Sequence, residues 1–184
     1  DLAMRASGWA EDVALKNGAL SGFSMLGRSV PRLIPALNRV ITRFGAGPVL
    51  IDRSYRVFAT PRLVRFNEME YALPREHLIT AARAVIEMVE SRRLPTSFPL
   101  ELRTVAGDDA LLSPAGGRDT GYVAVHVYRG MEWEPYFRDV EEIMRDLGGR
   151  PHWGKRHFRT AADLAPAYPQ WDRFQAVRAR LDPE

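Results

Sequence analysis

The stretch YVAVHVYR, residues 122–129, decides the fold, because valine recurs there at every second position. Side chains of a β-strand point alternately to the two faces of a sheet, so this spacing predicts a strand with one buried face. The valines at 123, 125 and 127 form the predicted buried face. The opposite face carries Tyr122, Ala124, His126 and Tyr128.

A second strand is predicted shortly before it. Leu100–Ala106 alternates in the same way and places Glu101 and Arg103 opposite its leucines. The connecting loop is rich in glycine and proline, so the two strands can pair antiparallel. With their apolar faces together, Glu101 and Arg103 share the other face with His126 and Tyr128.

Helical patterns surround these strands. A further strand is predicted over Arg62–Ala72, and helices are predicted from Pro74, from Glu134 and over Pro169–Leu181, where apolar residues recur every three or four positions. We therefore predict an α+β fold, an antiparallel sheet with helices packed on one face. The expected core-facing side chains are Leu78, Ala82, Val85, Ile86 and Val89 in the first helix, Tyr136, Phe137, Val140, Met144 and Leu147 in the second, and Trp171, Phe174, Val177 and Leu181 in the third. We expect the second helix to end at Gly148-Gly149.

The first 60 residues are less regular, because proline and glycine interrupt their apolar stretches. Residues 1–60 are predicted to be an irregular helical segment, and residues 61–184 a separate domain. Four arginines between positions 19 and 44 exclude a bilayer span but leave contact with a membrane surface open. The one clear helical pattern should face the core and stop at Gly45-Ala46-Gly47-Pro48; its apolar residues are Leu33, Leu37, Val40, Ile41 and Phe44.

The composition is that of an ordinary globular protein. The chain has no cysteine, which excludes disulfides, thiolate metal sites and a cysteine nucleophile. Its net charge of +3 comes from interspersed residues of both signs, so nucleic-acid binding is not expected. Arginine supplies 24 of the 26 basic residues, which makes Lys16 and Lys155 conspicuous. The chain begins without methionine, and we expect it to be a piece of a longer protein.

Two groups of polar residues could form a site. One is the sheet face with Glu101, Arg103, His126 and Tyr128, for which a solvated face with a cross-strand ion pair is the alternative interpretation. The other is the segment from His152 to Lys155, which follows the Gly-Gly helix stop; a surface turn is its alternative. A metal site using His152 and His157 is not favoured, because their spacing does not put both rings on one helical face.

Five motifs occur in an order that resembles the aldonolactone oxidoreductases. This family comprises the L-gulono-1,4-lactone and D-arabinono-1,4-lactone oxidases, with sugar-alcohol (alditol) oxidase relatives, in the vanillyl-alcohol oxidase class of flavoproteins. The resemblance spans roughly residues 60 to 184. The motifs are Phe66-Asn67-Glu68-Met69-Glu70-Tyr71, Pro74-Arg75-Glu76, Glu101-Leu102-Arg103, Val125-His126-Val127-Tyr128 and Pro151-His152-Trp153-Gly154-Lys155.

The resemblance implies an FAD enzyme that oxidises a sugar lactone by hydride transfer to flavin N5. Residues 61–184 would supply the cap domain that forms the substrate pocket, with a returning C-terminal segment. The FAD-binding domain would be absent, leaving the piece alone inactive. The implied catalytic residues are Glu101, Arg103 and Lys155. Glu101 would bind or deprotonate the substrate hydroxyl, while Arg103 and Lys155 would stabilise charge on substrate and flavin. His152 would pack at the flavin edge, and His126 and Tyr128 would contact substrate.

Two other functions remain open at this stage. Oxidation of a polyol such as xylitol would use the same chemistry, although Tyr128 in place of the threonine typical of alditol oxidases favours a lactone. A non-catalytic α+β interaction module would use the polar sheet face only for binding. We expect a cytoplasmic protein, with peripheral membrane attachment left open.

Overall fold

The computed structural model describes residues 17–18, 20–44, 53–54 and 63–182. The chain forms two compact units. Unit 1 comprises residues 1–66, 95–97 and 127–131, and unit 2 comprises residues 67–94, 98–126 and 132–184. The predicted boundary near residue 60 falls outside the described residues and stays a prediction.

Two helices lie in the stretch 20–44 of unit 1. Residues 20–29 form helix α1, and a 3-10 turn at Pro31–Leu33 leads into α2, Ile34–Phe44. Ile34 is buried against α1, where a side chain at Gly27 would come within 3.0 Å of it. The prediction of a core-facing helix is wrong at Leu33, which is exposed in the 3-10 turn, and at Val40 of α2, which is also exposed. The predicted stop at Gly45–Pro48 lies outside the described residues.

Between residues 63 and 182, four strands form one sheet, and four further helices follow or separate them. The sheet order is β2-β3-β1-β4. The elements are β1 (Phe66–Pro74), α3 (Leu78–Ser91, after a 3-10 turn at Arg75–His77), β2 (Glu101–Val105), β3 (Thr120–Tyr128), α4 (Glu134–Asp146), β4 (Arg150–Pro151), α5 (Ala161–Leu164, followed by a 3-10 turn at Ala165–Ala167) and α6 (Trp171–Leu181).

The predicted antiparallel pairing of β2 with β3 is confirmed, with Glu101 opposite Ala124 and Arg103 opposite Tyr122. The sheet also contains two pairings that the sequence pattern did not predict. β1 lies at the centre beside β3, and the two-residue β4 pairs antiparallel with β1 through Tyr71 and Pro151. The α+β fold class is confirmed.

One face of the sheet is apolar and carries helices. Leu78 of α3 lies so close to Gly121 of β3 that a Cβ there would come within 2.7 Å of it. On β1, the hydroxyl of buried Tyr71 donates a hydrogen bond to Glu141 of α4, whose carboxylate also accepts the N–H of Phe158 at 2.9 Å. Buried side chains on this side are Met69, Tyr71, Leu73, Leu78, Ala81, Ala82, Val85, Val123, Val125, Tyr136, Phe137, Val140 and Met144.

The predicted apolar faces of the helices and of β2 need three corrections. Ile86 of α3 is exposed, and Ala81 is buried in its place, so the stripe is shifted along the helix. Leu102 is exposed because β2 is an edge strand. Helix α6 has no buried residue, and Leu181 at its end is exposed.

The predicted end of α4 is confirmed. Gly148 has φ +72°, a left-handed conformation that residues with a Cβ rarely adopt, and a Cβ at Gly149 would come within 2.6 Å of the Met144 carbonyl. Among the described residues, none of the helices is both long and apolar enough to cross a membrane.

Candidate functional site

The site begins with two carboxylates on the central strand β1. Met69 and Tyr71 point to the helix-covered face, so the intervening Glu70, together with Glu68, points to the opposite face. Glu70 is only 1% exposed, whereas Glu68 is partly exposed. Carboxylates are rarely this buried unless they are paired with cations.

Two cations pair with Glu70. The guanidinium of Arg103 donates a hydrogen bond to Oε1, and the ammonium of Lys155 lies 3.0 Å from Oε2. Lys155 is 20% exposed and Arg103 is 49% exposed. The two cations are therefore more exposed to solvent than the buried carboxylate with which they pair.

Glu68 links the same lysine to a histidine. Lys155 donates a hydrogen bond to Glu68 Oε1, which also lies 3.2 Å from Nε2 of buried His126. Burial acts to raise the pKa of Glu68, but the hydrogen bonds from His126 and Lys155 and the lysine charge outweigh it and lower this pKa to about 2. Glu68 is therefore ionised throughout the neutral range.

The segment after β4 places Lys155 by lying along the edge of β1. His152 donates its backbone N–H to the Glu70 carbonyl at 2.9 Å, and Arg156 donates its own to the Glu68 carbonyl at 3.0 Å. Between them a tight turn closes with the Lys155 N–H on the His152 carbonyl at 3.1 Å. The backbone itself thus fixes the lysine beside both carboxylates.

His152 and Trp153 are also held in place. The Nδ1 atom of His152 accepts the N–H of Gly154 at 3.1 Å, so the neutral ring carries its proton on Nε2. Trp153 donates its indole N–H to the Leu112 carbonyl at 2.8 Å and stacks obliquely on Tyr168, with ring centroids 5.1 Å apart. These contacts give the segment one conformation and leave the His152 Nε2–H as a directed donor.

The structure brings four of the six predicted site residues together. Arg103, Lys155 and His126 join through Glu68 and Glu70, and Glu101 lies 3.8 Å from Arg103. His152 adjoins this cluster through its backbone. Tyr128 is the last residue of β3 and belongs to unit 1, so we assign it no place in the cluster. The predicted roles of all six stay predictions.

Glu68 and Glu70 were not predicted as site residues, although both stand in the quoted FNEMEY motif. The available signal was their alternation with Met69 and Tyr71, which puts two carboxylates on the face opposite a buried apolar pair. Recognising it required knowing that β1 is the central strand, because carboxylates on an edge strand are usually solvated.

The cluster offers acceptors and donors side by side. Glu101, 38% exposed, and the half-exposed Arg103 form its accessible edge. One hydrogen bond to Glu70 uses only one of the five N–H groups of a guanidinium, so Arg103 can also bind a ligand oxygen. Glu101 and Arg103 together suit a ligand that carries hydroxyl groups and a carbonyl, because a carboxylate accepts hydrogen bonds and a guanidinium donates them. Within the described residues there is no group of three His, Asp or Glu side chains that could hold a metal ion.

Comparison with known proteins identifies the family of the chain. The sequence profile described as D-arabinono-1,4-lactone oxidase matches residues 2–184. The chain is 56% identical over 179 residues to the L-gulono-1,4-lactone dehydrogenase of Mycobacterium tuberculosis, which covers 96% of the chain and 42% of that protein. It is 32% identical over 190 residues to the L-gulonolactone oxidase of Mus musculus, covering 97% of the chain and again 42% of the relative.

A more distant similarity links the chain to the alditol oxidase of a Streptomyces species. The two are 37% identical over 132 residues, which covers 70% of the chain and 31% of that protein. The chain thus spans less than half the length of each of these relatives. The profile nevertheless matches nearly every residue of it, and the chain belongs to the D-arabinono-1,4-lactone oxidase family.

Proposed function

We propose that this chain is the substrate-side part of a flavin-dependent oxidoreductase that oxidises an aldonolactone, L-gulono-1,4-lactone or D-arabinono-1,4-lactone, at a CH–OH carbon. The observation that carries the proposal is the convergence of Arg103 and Lys155 on the buried carboxylate of Glu70. These residues come from separate motifs of the resemblance, and the names of the relatives in Mycobacterium tuberculosis and Mus musculus support the substrate class.

Glu101 is the proposed acceptor of the substrate hydroxyl proton. Removal of hydride from a carbinol carbon requires that proton to leave, and a carboxylate at hydrogen-bonding distance assists this step. Glu101 suits the task because it is partly exposed at the accessible edge, whereas Glu70 is sealed beneath its two cations. Lys155 is less suited to accept a proton, since its ammonium already pairs with both Glu68 and Glu70.

Arg103 is proposed to orient the lactone through its carbonyl or ring oxygen. Its planar fork of donors fixes an oxygen in direction as well as distance, which an ammonium cannot do. The ion pair with Glu70 holds the guanidinium before substrate arrives, so no reorganisation is needed when charge develops.

The residues present also fit a flavin. Flavin, when bound, supplies the acceptor for the hydride. The observation that tests the fit is that one short segment supplies both the Nε2–H donor of His152 and the ammonium of Lys155, since the pyrimidine edge of a flavin needs hydrogen-bond donors and favours positive charge. We propose FAD as the cofactor and an FAD-binding domain outside this chain as the partner that completes the site.

Oxidation of a sugar alcohol is the second candidate, supported by the similarity to the Streptomyces alditol oxidase. The intact protein should be offered L-gulono-1,4-lactone, D-arabinono-1,4-lactone and xylitol in separate assays with an artificial electron acceptor. We expect turnover of at least one lactone with a higher kcat/KM than for xylitol. Turnover of xylitol alone would remove the lactone assignment.

A further inference from the structure

We propose that Glu70 is the positioning residue of this site, a carboxylate that fixes Arg103 and Lys155 in one arrangement while touching neither substrate nor cofactor; the inference rests on the proposed function. Glu70 lies on the central strand and is 1% exposed. Its two cationic partners are more accessible, so a ligand meets them first.

The two carboxylate oxygens of Glu70 contact different cations. Oε1 accepts the hydrogen bond from Arg103 of β2, and Oε2 faces the ammonium of Lys155 from the segment after β4. Because a carboxylate is planar and rigid, fixing one oxygen also fixes the direction of the other. Two cations from distant parts of the sequence are thereby set relative to each other.

Loss of the Glu70 charge should affect the two cations unequally. Lys155 would keep its bond to Glu68, whereas the acidic partner left to Arg103 among the described residues would be Glu101, at 3.8 Å. Removing one partner of a buried pair is costly when the remaining charge stays buried. Here half of Arg103 already reaches solvent, so Glu70→Gln should misplace the guanidinium without unfolding the protein.

The test uses the intact flavoenzyme with Glu70→Gln and Glu70→Asp. We expect Glu70→Gln to lower kcat/KM for L-gulono-1,4-lactone about tenfold to hundredfold, as misplacement of a binding group does. Glu70→Asp keeps the charge on a shorter stem and should recover part of this loss. The matched control is Glu134→Gln, which removes an exposed ion pair with Arg138 on α4 and should leave kcat/KM unchanged.

A mutant cycle separates positioning from a merely structural role. If Glu70 acts through its two cations, Glu70→Gln should change kcat/KM less than about twofold in a protein that already carries Arg103→Ala and Lys155→Ala. A structural defect would instead lower activity by the same factor in both backgrounds. Crystal structures of wild type and Glu70→Gln provide a readout without turnover, and Arg103 should adopt a different side-chain conformation in the variant.

The inference is overturned if wild type oxidises the lactone and Glu70→Gln keeps its kcat/KM, or if the effect persists in the background without the cations. If Glu70→Gln fails to fold, Glu70→Asp replaces it in the same mutant cycle, and the expected loss of kcat/KM is smaller. A wild-type protein that oxidises no lactone refutes the proposed function instead. In that case an unmoved Arg103 in the Glu70→Gln crystal structure would still refute the positioning role, and a displaced one would support it.

Discussion

Arg103 on β2 donates a hydrogen bond to Glu70 on β1, although β3 lies between these two strands. Ala124 of β3 stands opposite Glu101. On the same face of β3, the ring Nε2 of His126 lies 3.2 Å from a carboxylate oxygen of Glu68 on β1. Neighbouring strands lie about 4.8 Å apart, so the arginine must reach across a full strand. Ala124 contributes only a methyl group to the face of β3 that the arginine crosses, so we expect it to leave room for that side chain.

Ala124→Leu should close this passage, meaning the space beside Ala124 through which the Arg103 side chain crosses β3. The larger side chain would occupy the space between Glu70 and Arg103, and we expect kcat/KM for the lactone to fall about tenfold to hundredfold because the guanidinium is displaced. Ala124→Gly is the matched control, since it keeps the passage open at a modest cost in strand stability. Steady-state kinetics of both variants in the intact protein would check this, and equal activity of the leucine variant would show that the passage is not needed.

Glu68 should make the stability of the protein depend on acid pH. Its pKa falls from an ordinary 4.5 to about 2 in the folded state. The folded state thus binds this proton less readily than the unfolded state. The stabilisation is therefore complete above about pH 4.5 and lost as the pH falls through about 2.

Glu68→Gln should reveal this contribution in denaturant unfolding. We expect the variant to be less stable than wild type at pH 7 by on the order of 2 kcal/mol, with the gap shrinking as the pH approaches 2. Glu134→Gln, which loses only an exposed ion pair, should differ from wild type by little at either pH. A gap for Glu68→Gln that stays constant from pH 7 to pH 2.5 would contradict the assigned pKa.

Arg150 should be a stability residue and not a site residue. It is buried at β4, and its guanidinium donates to the carbonyls of Ala167 at 2.7 Å, Pro114 at 3.2 Å and Gly116 at 2.8 Å. Burial lowers the pKa of Arg150 from its ordinary value. These bonds anchor the strand that leads into the His152–Lys155 segment.

Arg150→Met should therefore destabilise the protein by about 2 to 4 kcal/mol, because it leaves buried carbonyls without donors. Arg145→Met, at an exposed position on α4, is expected to change stability by less than about 0.5 kcal/mol. Chemical unfolding of both variants provides the comparison. Similar stability of the two variants would show that the three hydrogen bonds to carbonyls make no net contribution to the free energy of unfolding.

Local sequence pattern sufficed for the parts of the fold that depend on neighbouring residues. The valine alternation at 123–127 predicted β3, and the glycine-rich loop after Leu100–Ala106 predicted its antiparallel partner. Gly148-Gly149 predicted the end of α4 because a left-handed residue there is a local requirement. The same pattern failed at Ile86 and Leu181, where exposure depends on what packs nearby.

Long-range placement could not be predicted in this way. Nothing local in the 66–74 stretch says that it lies between β3 and β4, and a two-residue strand such as β4 has too few residues to show a period. Glu68 and Glu70 were missed for the same reason, since their burial follows from the central position of β1. Strand alternation and the scarcity of lysine singled out Arg103 and Lys155 as candidates, but the resemblance to a known family was needed to join them in one site.

The most direct measurement of the central claim is the rate at which L-gulono-1,4-lactone reduces the bound flavin of the intact protein without oxygen. Wild type is compared with Arg103→Ala, Lys155→Ala and the exposed control Arg145→Ala. We predict reduction about tenfold to thousandfold slower in the first two variants, since a preorganised donor contributes roughly 2 to 4 kcal/mol in such sites. The control should match wild type. Equal reduction rates in all four proteins would contradict the assignment of this cluster as the site of lactone oxidation.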